Sequence, residues 1–503
     1  MKSHATAAQP HRPQWKSQWG FLLASVGSAI GLGSIWRFAY VCYENGGGAY
    51  LIPYFVALIT AGIPLMIMEY GIGHRMRGSA PLAFANIHSG WEWLGWWTVT
   101  FVMFGIVLYY AVVIAWCVCY LWFAGSLAWG SDPNTFFFQE FLGSSGKPFP
   151  IDGLRGPIIL ALLVVWLLNW LVVFFGVERG IEKANKIFMP LLTGLILLIV
   201  LWNLTLPGAR EGMWQFLRPD FSRLGDFKVW IDAYSQMFFT LSLGFGIMIT
   251  YASYLPRHAE INATACITGI VDTVISIVAG LGVFGTLGYM AAQTQQPLEK
   301  VVQHGIGLAF VAYPQAISML PQFQRLFGIV FFLALTVAGL ASSISILEAF
   351  SASLIDKFGY PRKIVVSVLA VVGFLGGLPF VASSGLAWLD IVDHFLNRYG
   401  LFLASILQCV LIGWIFGAKN LRNAINPNSW FKVGRLFDLS IRWLIPGVLA
   451  YLLLNAVIED TRSPYEGYSW LSLVLIGRDW LLITLFAAVL IAQRPWRGRA
   501  TKQ

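Results

Sequence analysis

Charge is what this chain has least of. Only 11% of its 503 residues are Asp, Glu, Lys or Arg, against 57% hydrophobic, and the mean hydropathy is +0.69. No soluble domain of this size keeps charge so low, which excludes a soluble enzyme and leaves an all-α polytopic membrane protein. The net charge of +9 would suggest nucleic acid in a soluble protein, but the basic residues collect in particular loops, so they report topology and no nucleic-acid partner is expected. Cysteine is scarce too: Cys42, Cys117, Cys119, Cys266 and Cys409 all fall in apolar segments, which implies neither a disulfide framework nor a metal site. The seven histidines are scattered and no paired-carboxylate motif occurs, so nothing supports a membrane enzyme. The N-terminus lacks a short apolar core followed by a cleavage site, and a retained, cytoplasmic N-terminus is expected.

What the chain does have is long apolar runs. Twelve are read, near 20–43, 49–73, 96–124, 157–175, 187–206, 230–255, 262–292, 324–355, 363–381, 386–417, 436–458 and 468–493. The basic clusters between them (Arg12/Lys16, Arg75/Arg77, Arg179/Lys183/Lys186, Arg257, Lys357/Arg362/Lys363, Lys419 to Arg435, and a tail from Arg494 to Lys502) all share one side if the N-terminus is inside. Both termini are therefore expected to be cytoplasmic, in a plasma membrane, with the bacterial inner membrane as the natural setting. Opposite loops, notably 125–156 and 207–229, are longer and charge-balanced; the connection 293–323 is expected to fold back over an external vestibule. No second soluble domain is present, so 1–503 reads as one transmembrane unit.

Two spans are interrupted. Residues 27–34 place Gly27, Gly31 and Gly33 inside the first apolar run, and Thr240, Ser242, Gly244 and Gly246 interrupt the sixth. Glycine for close helix packing is one explanation; a ligand site is the other, since broken backbone at membrane depth is tolerated where it lines a cavity. Breaks at positions one and six suggest a five-plus-five inverted repeat, 1–206 and 230–417, followed by two additional helices within 436–493. The half-helix after Gly31 would offer the amides of Leu32 and Gly33 to a carboxylate, and the one before it would offer carbonyls of Gly27, Ala29 and Ile30 to a hard cation such as Na⁺.

The run from Gly27 to Phe38, the sequence Glu44-Asn-Gly-Gly-Gly-Ala-Tyr-Leu-Ile-Pro-Tyr54, Gly62-Ile-Pro-Leu-Met66 with Glu69, and Thr240 to Gly246 with Tyr251-Ala-Ser-Tyr254 together resemble the neurotransmitter:sodium symporter family, nearest its bacterial amino-acid members. That resemblance implies a substrate carboxylate on the amides of Leu32 and Gly33 and the Tyr110 hydroxyl. It implies a substrate ammonium near the carbonyls of Ala29, Phe239 and Thr240, with Ser242 close by. The side-chain pocket would be Ile106, Tyr110, Phe239, Phe245, Ser342 and Ile346, with Ser345 at its edge. Monoamine carriers of the family have Asp where this chain has Gly31, so the carboxylate would have to come from an amino acid. Leu32 favours an α-amino acid, and the uncharged pocket a neutral, hydrophobic one.

The resemblance also implies two sodium sites, both departing from the family pattern. Site one would use Ala29, Ser34, Thr240, Asp272 and the substrate carboxylate, with Ser34 and Asp272 standing where a bacterial leucine-transporting member has Asn. Asp272 lies about ten residues into span seven, roughly 15 Å deep, where an acid is functional by default. Site two would use Gly27, Ile30, Ala338 and Ser342; the usual ligand at 341 is Ala, and Ser343 could substitute. Tyr54, Gln236, Thr240 and Ser276 match a chloride site, but the fixed charge of Asp272 beside them predicts that chloride is dispensable. Gates are expected outside from Arg37 with Asp393, or Asp390, and inside from Arg12, Trp15, Ser253, Tyr254 and Asp356. The stretch from Gly180 to Pro190 resembles the family's unwinding segment of span five. The function implied is sodium-coupled import of a neutral α-amino acid by alternating access; a symporter of another small zwitterion or amine-type osmolyte, and a non-transporting amino-acid receptor, are the alternatives.

Overall fold

The computed structural model describes residues 12–302 and 305–497, and these residues form helices and loops without a strand. Ten helices among them are long and apolar enough to cross a membrane by length and composition: Gly47–Met76, Ser89–Ala124, Gly156–Phe174, Val177–Asn203, Asn262–Thr294, Gln324–Phe358, Arg362–Val381, Gly385–Asn428, Arg435–Gly467 and Trp470–Ala492. An eleventh is the pair Gln18–Ala29 and Leu32–Glu44, bent by 73°. Between the fifth and seventh expected positions lie Phe227–Thr240 and Ile247–Ala252, separated by residues 241–246. Counted in chain order with each broken pair as one, these are spans one to twelve.

Most boundaries agree with the apolar runs to within a few residues, because a long hydrophobic stretch has little alternative to helix in lipid. Spans three, ten and eleven run seven to eleven residues beyond theirs at one end, to Ser89, Asn428 and Gly467, and span five extends at its start. It begins at Val177, ten residues before the run near 187–206, because a π-helical first turn, Val177–Glu182, carries charged residues that hydropathy discards. Arg499 and Lys502 of the basic tail, and the first eleven residues, lie outside the described residues.

The spans divide by burial. Eight and three form the middle, with 89% and 83% of their most apolar windows buried, whereas eleven and twelve, at 28% and 22%, turn Leu and Ile outward. Outward apolar faces of this kind suit lipid contact. Spans one and six sit inside: both pack on span eight and on each other, and span one also packs on span seven. The connection after span seven folds back as Leu308–Met319, and Phe310 packs its ring on Trp36, just past the first break, and on Trp116. Its carbonyl accepts the Tyr120 hydroxyl at 3.2 Å, which pins the segment over the outer half of span one.

Candidate functional site

The two breaks meet. At the first, helix Gln18–Ala29 ends at Ile30 and the chain runs extended through Gly31 (φ −97°, ψ −171°) before helix restarts at Leu32. At the second, Ser242, Gly244 and Gly246 have φ of +51°, +80° and +70°. The Ser242 hydroxyl donates to the Ser28 carbonyl at 2.8 Å, and the Ser342 hydroxyl of span eight donates to the same oxygen at 3.0 Å. Both serines thus tie off the end of the first half-helix.

Where the first helix restarts, its amides are the free positive end of a dipole. The Leu32 amide donates to the Tyr110 hydroxyl at 3.1 Å, so two of the expected carboxylate donors face one another. Gly31 lies close under that tyrosine: a Cβ there would meet the Tyr110 hydroxyl at 2.9 Å and Ser342 Oγ at 3.1 Å. A Cβ on Gly33 would lie 2.2 Å from the Phe239 ring, and the Arg37 guanidinium sits 4.4 Å above that ring's centroid. The Phe239 ring therefore lies between the Gly33 backbone and the Arg37 guanidinium. Ile106, Phe245 and Ile346 are buried.

A second cluster joins the breaks from span seven. Ser34 Oγ and Thr240 Oγ1 are 2.6 Å apart, Ser34 Oγ lies 3.2 Å from the Ala29 carbonyl, and both hydroxyls face the Asp272 carboxylate at 3.2–3.4 Å. Asp272 is fully buried, and two hydroxyls are its hydrogen-bond partners. A carboxyl so enclosed either keeps its proton or meets a positive partner, and the oxygens of Ala29, Ser34, Thr240 and Asp272 are the donor type a hard cation takes. One helical turn away on either side, Gln236, Ser276 and neighbouring Tyr54 are buried with Gln236 Nε2 and Oε1, Ser276 Oγ and the Tyr54 hydroxyl unpartnered among the described residues. That donor set fits an anion in chemistry.

For the other cation site, the carbonyls of Gly27 and Ile30 accept no backbone amide among the described residues, as the end of a half-helix requires. Ser343 does not join them. Its hydroxyl is turned to Asn169 Oδ1 at 2.7 Å and the Leu340 carbonyl at 3.1 Å, because Asn169 on span four offers a buried acceptor on the opposite face of span eight. The expected substitution of Ser343 for the missing ligand at Ala341 is thereby corrected.

The two gates differ. Inside, Arg12 pairs with Asp356 at 2.8 Å and lies over the Tyr254 ring, Trp15 Nε1 donates to the Tyr251 carbonyl at 2.8 Å, and Ser253 bonds the Thr250 carbonyl. Asp356 also accepts the Ser79 amide at 2.9 Å, which ties the connection after span two to the lock. Outside, the expected Arg37–Asp393 pair is not formed. Asp393 accepts the Tyr109 hydroxyl at 2.5 Å and the Asn397 amide at 2.7 Å, and Arg37 rests on the aromatic face of Phe239. Asp390, the alternative, takes the Tyr465 hydroxyl at 2.9 Å. The inner side is closed and the outer side is unlatched.

Sequence reasoning gave no role to two supporting groups, although Glu69 stands in one of its motifs. Glu69 on span two accepts the Gly244 amide at 2.8 Å, holding the second break open. Glu348 accepts the Tyr254 hydroxyl at 2.7 Å and pairs with Arg362. Both are acids inside apolar spans, the signal that singled out Asp272.

The sodium:neurotransmitter symporter family model matches residues 12–147 and 131–493. An uncharacterised sodium-dependent transporter of Methanocaldococcus jannaschii is 48% identical over 464 residues, 91% of this chain and 93% of its own length. The sodium- and chloride-dependent glycine transporter 1 of Xenopus laevis is 30% identical over 510 residues, 91% of this chain and 80% of its own. Among solved structures, MhsT in complex with L-phenylalanine superposes with a TM-score of 0.75 at 32% identity, covering 89% of this chain and all of that one. A broken-helix bundle with a buried acid between its breaks, matched along nearly its whole length, places the protein: the chain belongs to the sodium:neurotransmitter symporter family and is a multi-pass, sodium-dependent symporter rather than an enzyme.

Proposed function

We propose that the symporter imports a neutral, hydrophobic α-amino acid together with one or two Na⁺ ions, without needing chloride. The observation that carries this reading is the juxtaposition of an anion-receptive pair, the Leu32 amide and Tyr110 hydroxyl, with the cation-receptive Ser34, Thr240 and Asp272 between the same two breaks. A zwitterion's carboxylate bridges the two: it takes the amide dipole on one side and completes a sodium shell on the other. Gly31 leaves no fixed acid to replace that carboxylate, and Ile106, Phe245 and Ile346 offer an apolar side-chain pocket, in keeping with the phenylalanine held by MhsT.

Asp272 occupies with a permanent charge the place where chloride-dependent relatives would recruit an anion. Two anions a few ångströms apart in a poorly solvated site repel strongly, so the carboxylate makes chloride dispensable. Each Na⁺ moving inward through 100 mV releases about 2.3 kcal/mol, enough for well over tenfold accumulation of a neutral substrate. The closed inner lock and unlatched outer gate support an outward-facing arrangement, with import following when spans one, two, six and seven rock against the rest. Residues 1–206 and 230–417 are read as the two repeats, 436–493 as helices outside them, and both termini as cytoplasmic in a plasma membrane.

Counterflow tests the reading. Proteoliposomes loaded with unlabelled leucine or phenylalanine should accumulate the labelled form in Na⁺ and not in K⁺. Saturable binding without exchange would make the protein a receptor, and exchange of betaine-type zwitterions alone would move the substrate class.

A further inference from the structure

The second sodium site lacks the side-chain oxygen that Ala341 would have supplied, and Ser343 faces away. From the other side of the first half-helix, span five brings an oxygen that no partner claims. Asn185 is fully buried, its amide nitrogen donates to the Ile181 carbonyl at 3.0 Å, and its Oδ1 has no hydrogen-bond partner among the described residues. The orientation of the amide is set by chemistry: the Ile181 carbonyl can only accept, so the nitrogen must face it and the oxygen must face the opposite way. That way is Gly27. A Cβ on Gly27 would lie 2.4 Å from Asn185 Oδ1, so the absence of a side chain there is what lets the amide oxygen reach the backbone whose carbonyl opens the cation cage.

The surrounding helix is built to yield. Asn185 lies between the π-helical turn Val177–Glu182 and Pro190, which has no amide to give the Lys186 carbonyl. A buried amide oxygen without a donor costs stability unless something uses it, and a sodium ion accepts such oxygens readily.

We propose that Asn185 Oδ1 serves the second sodium site, supplying from span five the side-chain oxygen that span eight lacks at Ala341. The inference rests on the reading above that Gly27, Ile30, Ala338 and Ser342 hold a sodium ion. It makes span five sensitive to occupancy: losing the ion would leave Asn185 unpaired at the cytoplasmic flank of the cage.

The test uses the purified full-length protein, with ²²Na⁺ binding and Na⁺-dependent thermal stabilisation as readouts beside transport. Asn185→Ala should raise half-saturating Na⁺ by about five- to tenfold, the scale of a lost contact to a charged group. Ala341→Ser in the same protein should bring it back to within about twofold of wild type, since a hydroxyl then returns to span eight. Asn185→Asp, which keeps the oxygen and adds charge, should lower it, and it decides the matter if Asn185→Ala does not fold. Ser342→Ala separates the two readings. If Ser342→Ala raises half-saturating Na⁺ while neither Asn185 variant moves it, Asn185 is not a ligand and this inference is overturned alone. If Ser342→Ala has no effect, the second site itself is wrong and the inference falls with it.

Discussion

The two helix breaks do the same work by different physics. In span six the chain leaves helix through left-handed backbone at Ser242, Gly244 and Gly246, and neighbours hold that shape: Glu69 takes the Gly244 amide. In span one no residue between Ala29 and Leu32 has positive φ; the glycines are there because something else is too close. Asn185 presses on Gly27, Tyr110 and Ser342 on Gly31, and Phe239 on Gly33. One break is thus conformational. The other is a matter of close approach by neighbouring side chains.

The largest effect is expected where the breaks share a wall. Asp272→Asn removes the charge that faces Ser34 and Thr240 together, and chloride-free uptake should fall by about a hundredfold or more, the scale of a lost buried charge partner. Chloride should restore part of it, while wild-type uptake should be unchanged when gluconate replaces chloride; a collapse of wild-type uptake in gluconate would contradict the role given to Asp272.

Glycine substitutions then separate the two breaks directly. Gly244→Ala imposes left-handed strain of about 1–2 kcal/mol and puts a Cβ 2.3 Å from Ser405 Oγ, so the melting temperature should drop by several degrees. Gly31→Ala carries no such strain, and its Cβ comes nearest the Tyr110 hydroxyl and Ser342 side chain, so it should weaken amino-acid binding while lowering the unliganded melting temperature less than Gly244→Ala does. Equal destabilisation by both would erase the distinction.

Tyr110→Phe should weaken amino-acid binding by about tenfold at saturating Na⁺, because one donor to the carboxylate is lost. Equilibrium binding of labelled amino acid measures it. The smallest effect is expected from Ser343→Ala: with its hydroxyl on Asn169, sodium dependence should shift by less than about twofold, within the range of one neutral hydrogen bond.

The sequence was legible where local physics decides. Apolar length located the spans, glycine clusters located both breaks, and the depth of Asp272 pointed to the centre of the site. It was not legible where two elements must meet. That Ser343 turns to Asn169, that Arg37 settles on Phe239 while Tyr109 and Asn397 occupy Asp393, and that Asn185 faces Gly27 each depends on the rotation of one span against another. The early start of span five was lost for a different reason: charged residues in a π-helical turn look like loop to a hydropathy reading.

The central claim is that amino acid and sodium share the space between the breaks. Thermal stabilisation of the purified protein across the twenty amino acids, with and without Na⁺, tests it most directly. Stabilisation by neutral hydrophobic amino acids in Na⁺ and none in its absence is the expected result; stabilisation by the same amino acids independent of Na⁺ would contradict the shared site.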